Sequence, residues 1–312
     1  MRIFRHFTEL PAAIRGGVLA LGNFDGVHLG HQNILNTTVK TARRLGVAAG
    51  AMTFEPHPRT VFNPDKPPFR LTPFRVKARL IESLGLDFLL MQHFDLAFAA
   101  HTAEQFTDDI LGEALGAVQI VVGYDFAFGH GRKGNGAMLQ TRGVQKGFSV
   151  QIIDPLRAED GSLYSSSRVR EMLAQGNPRQ AAQLLGRDWE IEGRVELGDQ
   201  RGRQLGFPTA NLHMADFLLP AFGVYAVRAG IDKGEATQWL PGVANFGQRP
   251  TFGKEDRVLE VHLFDFDGDL YGRHLRVALA DFLRGEQKFD GPAALKVQIE
   301  QDCVAARRAL AF

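Results

Sequence analysis

VLALGNFDGVHLGH, residues 18–31, decides how the first half of this chain folds. Val18 to Leu21 form a short apolar run of the kind that fills a buried strand, and Gly22 and Gly26 bracket the turn that follows. From His31 onward Ile34, Leu35, Val39, Ala42 and Leu45 recur at helical spacing until Gly46 stops the helix. The turn therefore points at a helix N-terminus. Unpaired backbone N–H groups and the positive end of the helix dipole favour an anion there. Gly26 and Gly30 allow its oxygens close to the backbone, and His28 and His31 can donate from one side. Strand, turn, helix and two histidines predict a polyphosphate site. A two-histidine metal site fits less well, because zinc takes three or four ligands and no companion Cys or His cluster lies nearby in sequence.

Working outward, β-like and helical segments alternate through the first half. They are AAGAMTF ending at Phe54, a helix over Phe74–Leu84, DFLLM ending at Met91, and a helix opened by a Thr102/Gln105 capping box and running through Leu115. Apolar runs over 118–122 and 148–153 complete the series. This alternation predicts a doubly wound parallel sheet with helices on both faces, its ligands beyond the carboxyl ends of the strands. The context and the form GNFDGVHLGH resemble the nucleotidyltransferase superfamily, whose histidines bind nucleoside triphosphate phosphates. The loops carrying His28, Glu55 to Arg59 and Asp125 all follow strands and are expected to converge. The loop Gly123–Gly136 carries five glycines with His130, Arg132 and Lys133. It lacks the GK[ST] ending of a Walker A loop and is read as a flexible basic lid or a mobile surface connection. SSSRVREMLAQG, residues 165–176, places serines at a helix start, where Ser167, Arg168 and Arg170 can reach a phosphate or can simply cap and solvate the helix.

Near Leu185 the chain changes character. EIEGRVEL, GVYAVRAGI, RVLEVHLFDF and HLRVALADFL are β-like runs separated by turn residues, and Gly291–Phe312 returns to helical period. These predict a second domain, a small β-barrel capped by a terminal helix, with the division into 1–186 and 187–312. Within it GDQRGRQLGFPTANL carries Gly198, Gly202 and Gly206, which permit a ligand-hugging backbone, and Pro208 stiffens the approach to Thr209 and Asn211. Their side-chain oxygens are of the hard kind that Mg²⁺ accepts, though an ordinary turn also accommodates them. If Val258, Glu260 and His262 share one strand face, a carboxylate and an imidazole point the same way, toward a ligand or toward solvent.

At 312 residues two domains are expected. Hydrophobic residues make up 45% and charged residues 23%, which excludes a disordered chain. Net charge is +1, so no global basic field exists to hold nucleic acid. MRIFRHFTEL lacks a signal-peptide core and no apolar stretch is of membrane length, so a cytoplasmic protein without a membrane partner is expected. The single cysteine, Cys303, lies on the stripe Leu295, Ile299, Cys303, Ala306, Leu310 and is read as inert core.

Ten ordered segments carry a wider resemblance: GNFDGVHLGH, TFEPHP, VGYDFAFG, SSSRVR, LGR, GFPTAN, GVYAV, GVANFGQRPTFG, LEVHLFDFDGDLYG and LRGEQKF. In order and spacing the chain resembles the bacterial bifunctional riboflavin kinase/FMN adenylyltransferases, also called FAD synthetases. The resemblance implies phosphorylation of riboflavin to FMN by ATP in the second domain and adenylylation of FMN to FAD in the first. ADP and pyrophosphate are the by-products, and Mg²⁺ accompanies ATP. It implies catalytic roles for His28, His31, Ser167 and Arg170 in adenylyl transfer, with Gly22, Asn23, Phe24, Gly30 and Asp125 holding nucleotide and flavin. For the kinase it implies Glu260 as base, Gly198, Gly202, Gly206 and Pro208 as phosphate loop, and Thr209 and Asn211 as Mg²⁺–ATP ligands. A riboflavin kinase whose first domain only regulates or binds flavin is the alternative, and a non-enzymatic flavin or nucleotide sensor is a further one.

Overall fold

The computed structural model describes residues 1–158, 160–198, 202, 205–214, 216–233, 236–251 and 254–311. By its contacts the chain forms two compact units, one of Met1–Pro67 with Thr72–Ser165 and one of Pro68–Leu71 with Ser166–Phe312.

The first unit is built on strands β1 (Arg2–Phe4), β2 (Val18–Leu21), β3 (Ala49–Glu55), β4 (Phe88–His93), β5 (Gln119–Gly123), β6 (Ala127–Phe128), β7 (Gly134–Asn135) and β8 (Ser149–Ile153). Its helices are α1 (Leu29–Leu45), α2 (Pro58–Phe62), α3 (Phe74–Ser83), α4 (Leu96–Ala99), α5 (Ala103–Gln105) and α6 (Gly136–Lys146). Six strands form one parallel sheet in the order β1-β4-β3-β2-β5-β8. All four residues of β2 are buried, as expected of a central strand covered on both faces. Leu19 and Leu21 pack with Phe88, Ile120 and Val122 on one face, and Val18 and Ala20 with Leu35, Ala42 and Ile81 on the other. Because β3 and β5 flank β2 on opposite sides, the strand order reverses beside β2, and the loops after β2 and β5 open at that switch point.

Two local readings are corrected. The Thr102/Gln105 capping box forms in full, but after α5 the chain widens into a π-helix over Phe106–Ala114. A nine-residue apolar pattern does not separate the two helical periods. The glycine-rich stretch 123–136, read without any regular structure, carries a short hairpin. Strands β6 and β7 pair antiparallel within it, and a Cβ on Gly129 or Gly134 would stand 2.6 or 2.9 Å from Ala103. Close packing, rather than mobility, accounts for those two glycines.

The second unit holds α7 (Ser166–Ala174), α8 (Pro178–Leu185), strands β9 (Trp189–Arg194), β10 (Ala210–His213), β11 (Gly223–Lys233), β12 (Ala236–Thr251), β13 (Lys254–Leu263) and β14 (His274–Gly285), and the terminal helix α9 (Pro292–Leu310). The strands make a curled antiparallel sheet in the order β10-β13-β12-β11-β14-β9. Just beyond β9, a bridge between Glu196 and Asn211 joins the two edges. Trp189, Ile191, Tyr225, Val227, Phe246, Leu259, Val261 and Leu279 fill the concave side, each 1% exposed or less. On the opposite face α9 covers Val224, Ala226 and Val243 with Ala306 and Cys303, and burial pushes the Cys303 thiol up, in keeping with an inert core cysteine.

Sequence reading omits β12, whose Pro241, Gly242, Gly247 and Pro250 look like turn chemistry. Pro241 pairs with Arg228 of β11, and its carbonyl accepts from Phe264 N at 2.9 Å just before the ladder to β13 starts at Gly242, so the position calls on Pro241 only as an acceptor.

The stripe of α9 also carries an acid. Asp302, 6% exposed, accepts two bonds from Arg284 at 2.9 and 2.7 Å and one from Gln298 at 3.0 Å. Asp302→Ala removes the partner of a nearly buried guanidinium. It is expected to lower stability by about 3 kcal/mol, seen as an earlier urea midpoint at unchanged slope.

Candidate active sites

The β2–α1 turn assembles the first site. Phe24, Gly26 and Val27 take φ of 48°, 88° and 44°, a left-handed run that costs about 1–3 kcal/mol per strained residue. Cross-chain bonds hold it: Thr72 donates its N–H and hydroxyl to Asp25 Oδ1 at 3.0 and 3.2 Å, and Thr72 Oγ1 accepts from Gly26 N at 2.8 Å. His28 caps α1, its Nδ1 accepting from His31 N at 3.3 Å. A neutral ring that accepts at Nδ1 carries its hydrogen on Nε2, so His28 presents a donor. The rings of His28 and His31 stack with centroids 3.6 Å apart. Gly30 makes this possible, since a Cβ there would lie 3.1 Å from the His28 ring, and one on Gly22 would lie 3.0 Å from the Phe24 ring. Asn23 Oδ1 is buried in the turn without a hydrogen-bond partner, as an acceptor held for a ligand donor would be. Asp125 stands exposed two residues beyond β5, at the same end of the sheet.

Ser167, Arg168 and Arg170 lie on α7, which groups by contact with the second unit. Ser167 is exposed, while Arg170 donates Nε to Phe69 O at 2.8 Å and lays its guanidinium over the Phe69 ring.

The second site is a cleft of about 430 Å³ in the curled sheet, lined among others by Gly198, Pro208, Thr209, Asn211, Leu270 and Tyr271. Of the loop expected to follow phosphate, residues 199–201 and 203–204 lie outside the described residues. A Cβ on Gly198 would stand 2.5 Å from the Asn211 amide, and one on Gly202 2.4 Å from Phe207 O. Gly206 has φ 92°. Chain and side chain therefore meet where only glycine fits.

Register places the carboxylate. Glu260 on β13 lies opposite Asn211 of β10 and Asn245 of β12, so the three side chains form one row on one face. Val258, Glu260 and His262 do share that face, as alternation requires. His262 Nδ1 bonds Pro208 O at 2.9 Å. A carbonyl oxygen only accepts, so that nitrogen carries the hydrogen, and the ring steadies the segment leading to Thr209. Sequence reading missed the contributions of Asp25, Thr72 and His262, because their partners are set by strand register and long-range packing.

The residues around the cleft suit a hard cation. Thr209 and Asn211 offer oxygen donors beside a glycine cradle, and no group of three or more His, Cys, Asp or Glu that would bind a metal by itself occurs among the described residues.

Comparison with known proteins matches two stretches of the chain to named families. The FAD synthetase family profile matches residues 10–168 and the riboflavin kinase profile residues 185–310. Curated bifunctional riboflavin kinase/FMN adenylyltransferases resemble the chain throughout. The protein of Pseudomonas fluorescens is 43% identical over 312 residues, covering 100% of this chain and 98% of its own. That of Escherichia coli is 42% identical over 308 residues, covering 98% and 97%. A crystal structure described as a macrolide-efflux protein from Streptococcus pneumoniae superposes with TM-score 0.84 at 31% identity, over 96% of each chain. Among the described residues of the present chain no helix is long and apolar enough to cross a membrane.

Proposed function

The chain belongs to the family of bifunctional riboflavin kinase/FMN adenylyltransferases, and from that membership we propose which residues carry each step. The protein phosphorylates riboflavin to FMN with ATP in its C-terminal part and adenylylates FMN to FAD with ATP in its N-terminal part, releasing pyrophosphate. We assign adenylyl transfer to residues 1–186 and the kinase to 187–312.

The kinase step needs a base, because the ribityl 5′-hydroxyl is a poor nucleophile until its proton is accepted. Glu260 is that base: its carboxylate takes the proton as the hydroxyl oxygen attacks the γ-phosphorus and ADP leaves. The observation that carries this assignment is the row Asn211, Glu260, Asn245, which puts a carboxylate beside the oxygen donors of the cleft. Gly198, Gly202, Gly206 and Pro208 shape the phosphate loop. Thr209 and Asn211 would hold Mg²⁺ with ATP, and the ion would supply charge neutralisation on the phosphates.

Adenylyl transfer needs no base, since the FMN phosphate is already anionic. An FMN oxygen attacks the α-phosphorus, and pyrophosphate leaves as charge grows on the bridging and terminal oxygens. His28 Nε2, His31, the N-terminus of α1, Ser167 and Arg170 offset that charge. Gly22, Asn23, Phe24, Gly30 and Asp125 hold nucleotide and flavin. With a near-neutral net charge the protein acts in the cytoplasm on small molecules, without nucleic acid or membrane partners.

Incubating purified protein with riboflavin, ATP and Mg²⁺, alongside a reaction started from FMN, and separating the flavins by chromatography tests the whole reading. FAD is expected from both reactions. FMN without FAD would instead indicate a kinase with a binding-only first domain.

A further inference from the structure

We propose that Thr72 is a positioning residue for adenylyl transfer. The inference rests on the assignment of the β2–α1 turn to that reaction. Thr72, 1% exposed, is 46 residues from Gly26 in sequence, yet its hydroxyl closes a small network inside the turn. It accepts from Gly26 N and donates to Asp25 Oδ1, while its own N–H donates to the same oxygen. Those bonds fall within the left-handed run Phe24, Gly26, Val27, a conformation that persists only where its surroundings impose it. On either side of that run stand Asn23, with its buried acceptor, and His28, whose Nδ1 caps α1. Fixing residues 25 and 26 therefore fixes the spacing of the two groups assigned to the nucleotide.

Thr72 touches no reacting atom in this scheme and acts through Asp25 and Gly26.

The test is Thr72→Val, which keeps shape and backbone N–H but deletes the hydroxyl, compared with Thr72→Ser, which restores it, both in the full-length protein. Displacing positioned groups by about 1 Å costs on the order of 100-fold in rate. Thr72→Val is therefore expected to lower kcat for FAD formation from FMN by about 10- to 100-fold, with KM for FMN changed less than about threefold. Thr72→Ser should recover kcat to within about threefold, and both variants should phosphorylate riboflavin at the wild-type rate. FAD formation by Thr72→Val at the wild-type kcat would overturn the proposal, as would parallel loss of both activities without rescue by serine, which marks a general structural role. Absence of FAD formation in the wild-type protein would instead overturn the assignment on which the proposal rests.

Discussion

Glu260→Gln is expected to abolish FMN formation while leaving FAD formation from supplied FMN intact. Glutamine matches the carboxylate in size and can sit in the same row between Asn211 and Asn245, so the curled sheet should keep its register. What it cannot do is take a proton from the ribityl hydroxyl. General-base assistance contributes about 10²–10⁴ in rate, and a loss of that size puts the kinase below ordinary chromatographic detection. Initial rates of FMN appearance from riboflavin, and of FAD appearance from FMN, measured on one preparation, check it. An equal fall in both rates would contradict the division of labour between the two sites. A kinase rate within a fewfold of wild type would remove Glu260 from its role as base.

His28→Ala should give the opposite pattern. The substitution deletes the Nε2 donor, the Nδ1 acceptor that caps α1 through His31 N, and the ring against which His31 stacks. Losing one preorganised donor to developing charge costs about 10²–10³ in kcat, and the lost cap adds about 1 kcal/mol of destabilisation. FAD formation from FMN should therefore fall by at least 100-fold, whereas phosphorylation of riboflavin should proceed normally. His28→Asn separates the two effects. Its amide can cap the helix but cannot place a donor where Nε2 stood, so it should recover thermal stability without recovering adenylyl transfer.

The strand, turn and helix of the first candidate site were legible to a large degree because these parts are contiguous. Strand, turn, cap and helix occupy residues 18–45, and helix capping and dipole chemistry operate over a few residues, which a sequence displays directly. His28 and His31 are three apart on the first turn of a helix, so their stacking follows from local geometry. Where sequence reading went astray, local and tertiary causes look alike. The glycines at 129 and 134 could mean mobility or tight packing, and only the position of Ala103 decides for packing. The prolines and glycines of β12 look like turns until pairing shows Pro241 opposite Arg228, with its carbonyl accepting from Phe264 N.

Glu260 marks the boundary most clearly. Alternation along RVLEVHL places it on a face with Val258 and His262, but alternation does not say whether that face meets solvent or a ligand. Strand pairing adds what alternation does not show, that Asn211, 49 residues away in sequence, stands directly across from it. Thr72 is a second case, a lone threonine before a proline that carries no motif, yet its bonds to Asp25 and Gly26 hold the turn between β2 and α1.

By itself, then, the sequence determined the alternating first domain, the β-rich second one, the strand, turn and capped helix of residues 18–45 and the order of motifs that identifies the two chemistries. All of these are set by hydrophobic period, helix capping and glycine chemistry acting over short stretches. Tertiary structure alone decided which side chains stand opposite one another. Strand register and the packing of distant segments depend on contacts between residues far apart in the chain, and those contacts leave no mark in any single local window.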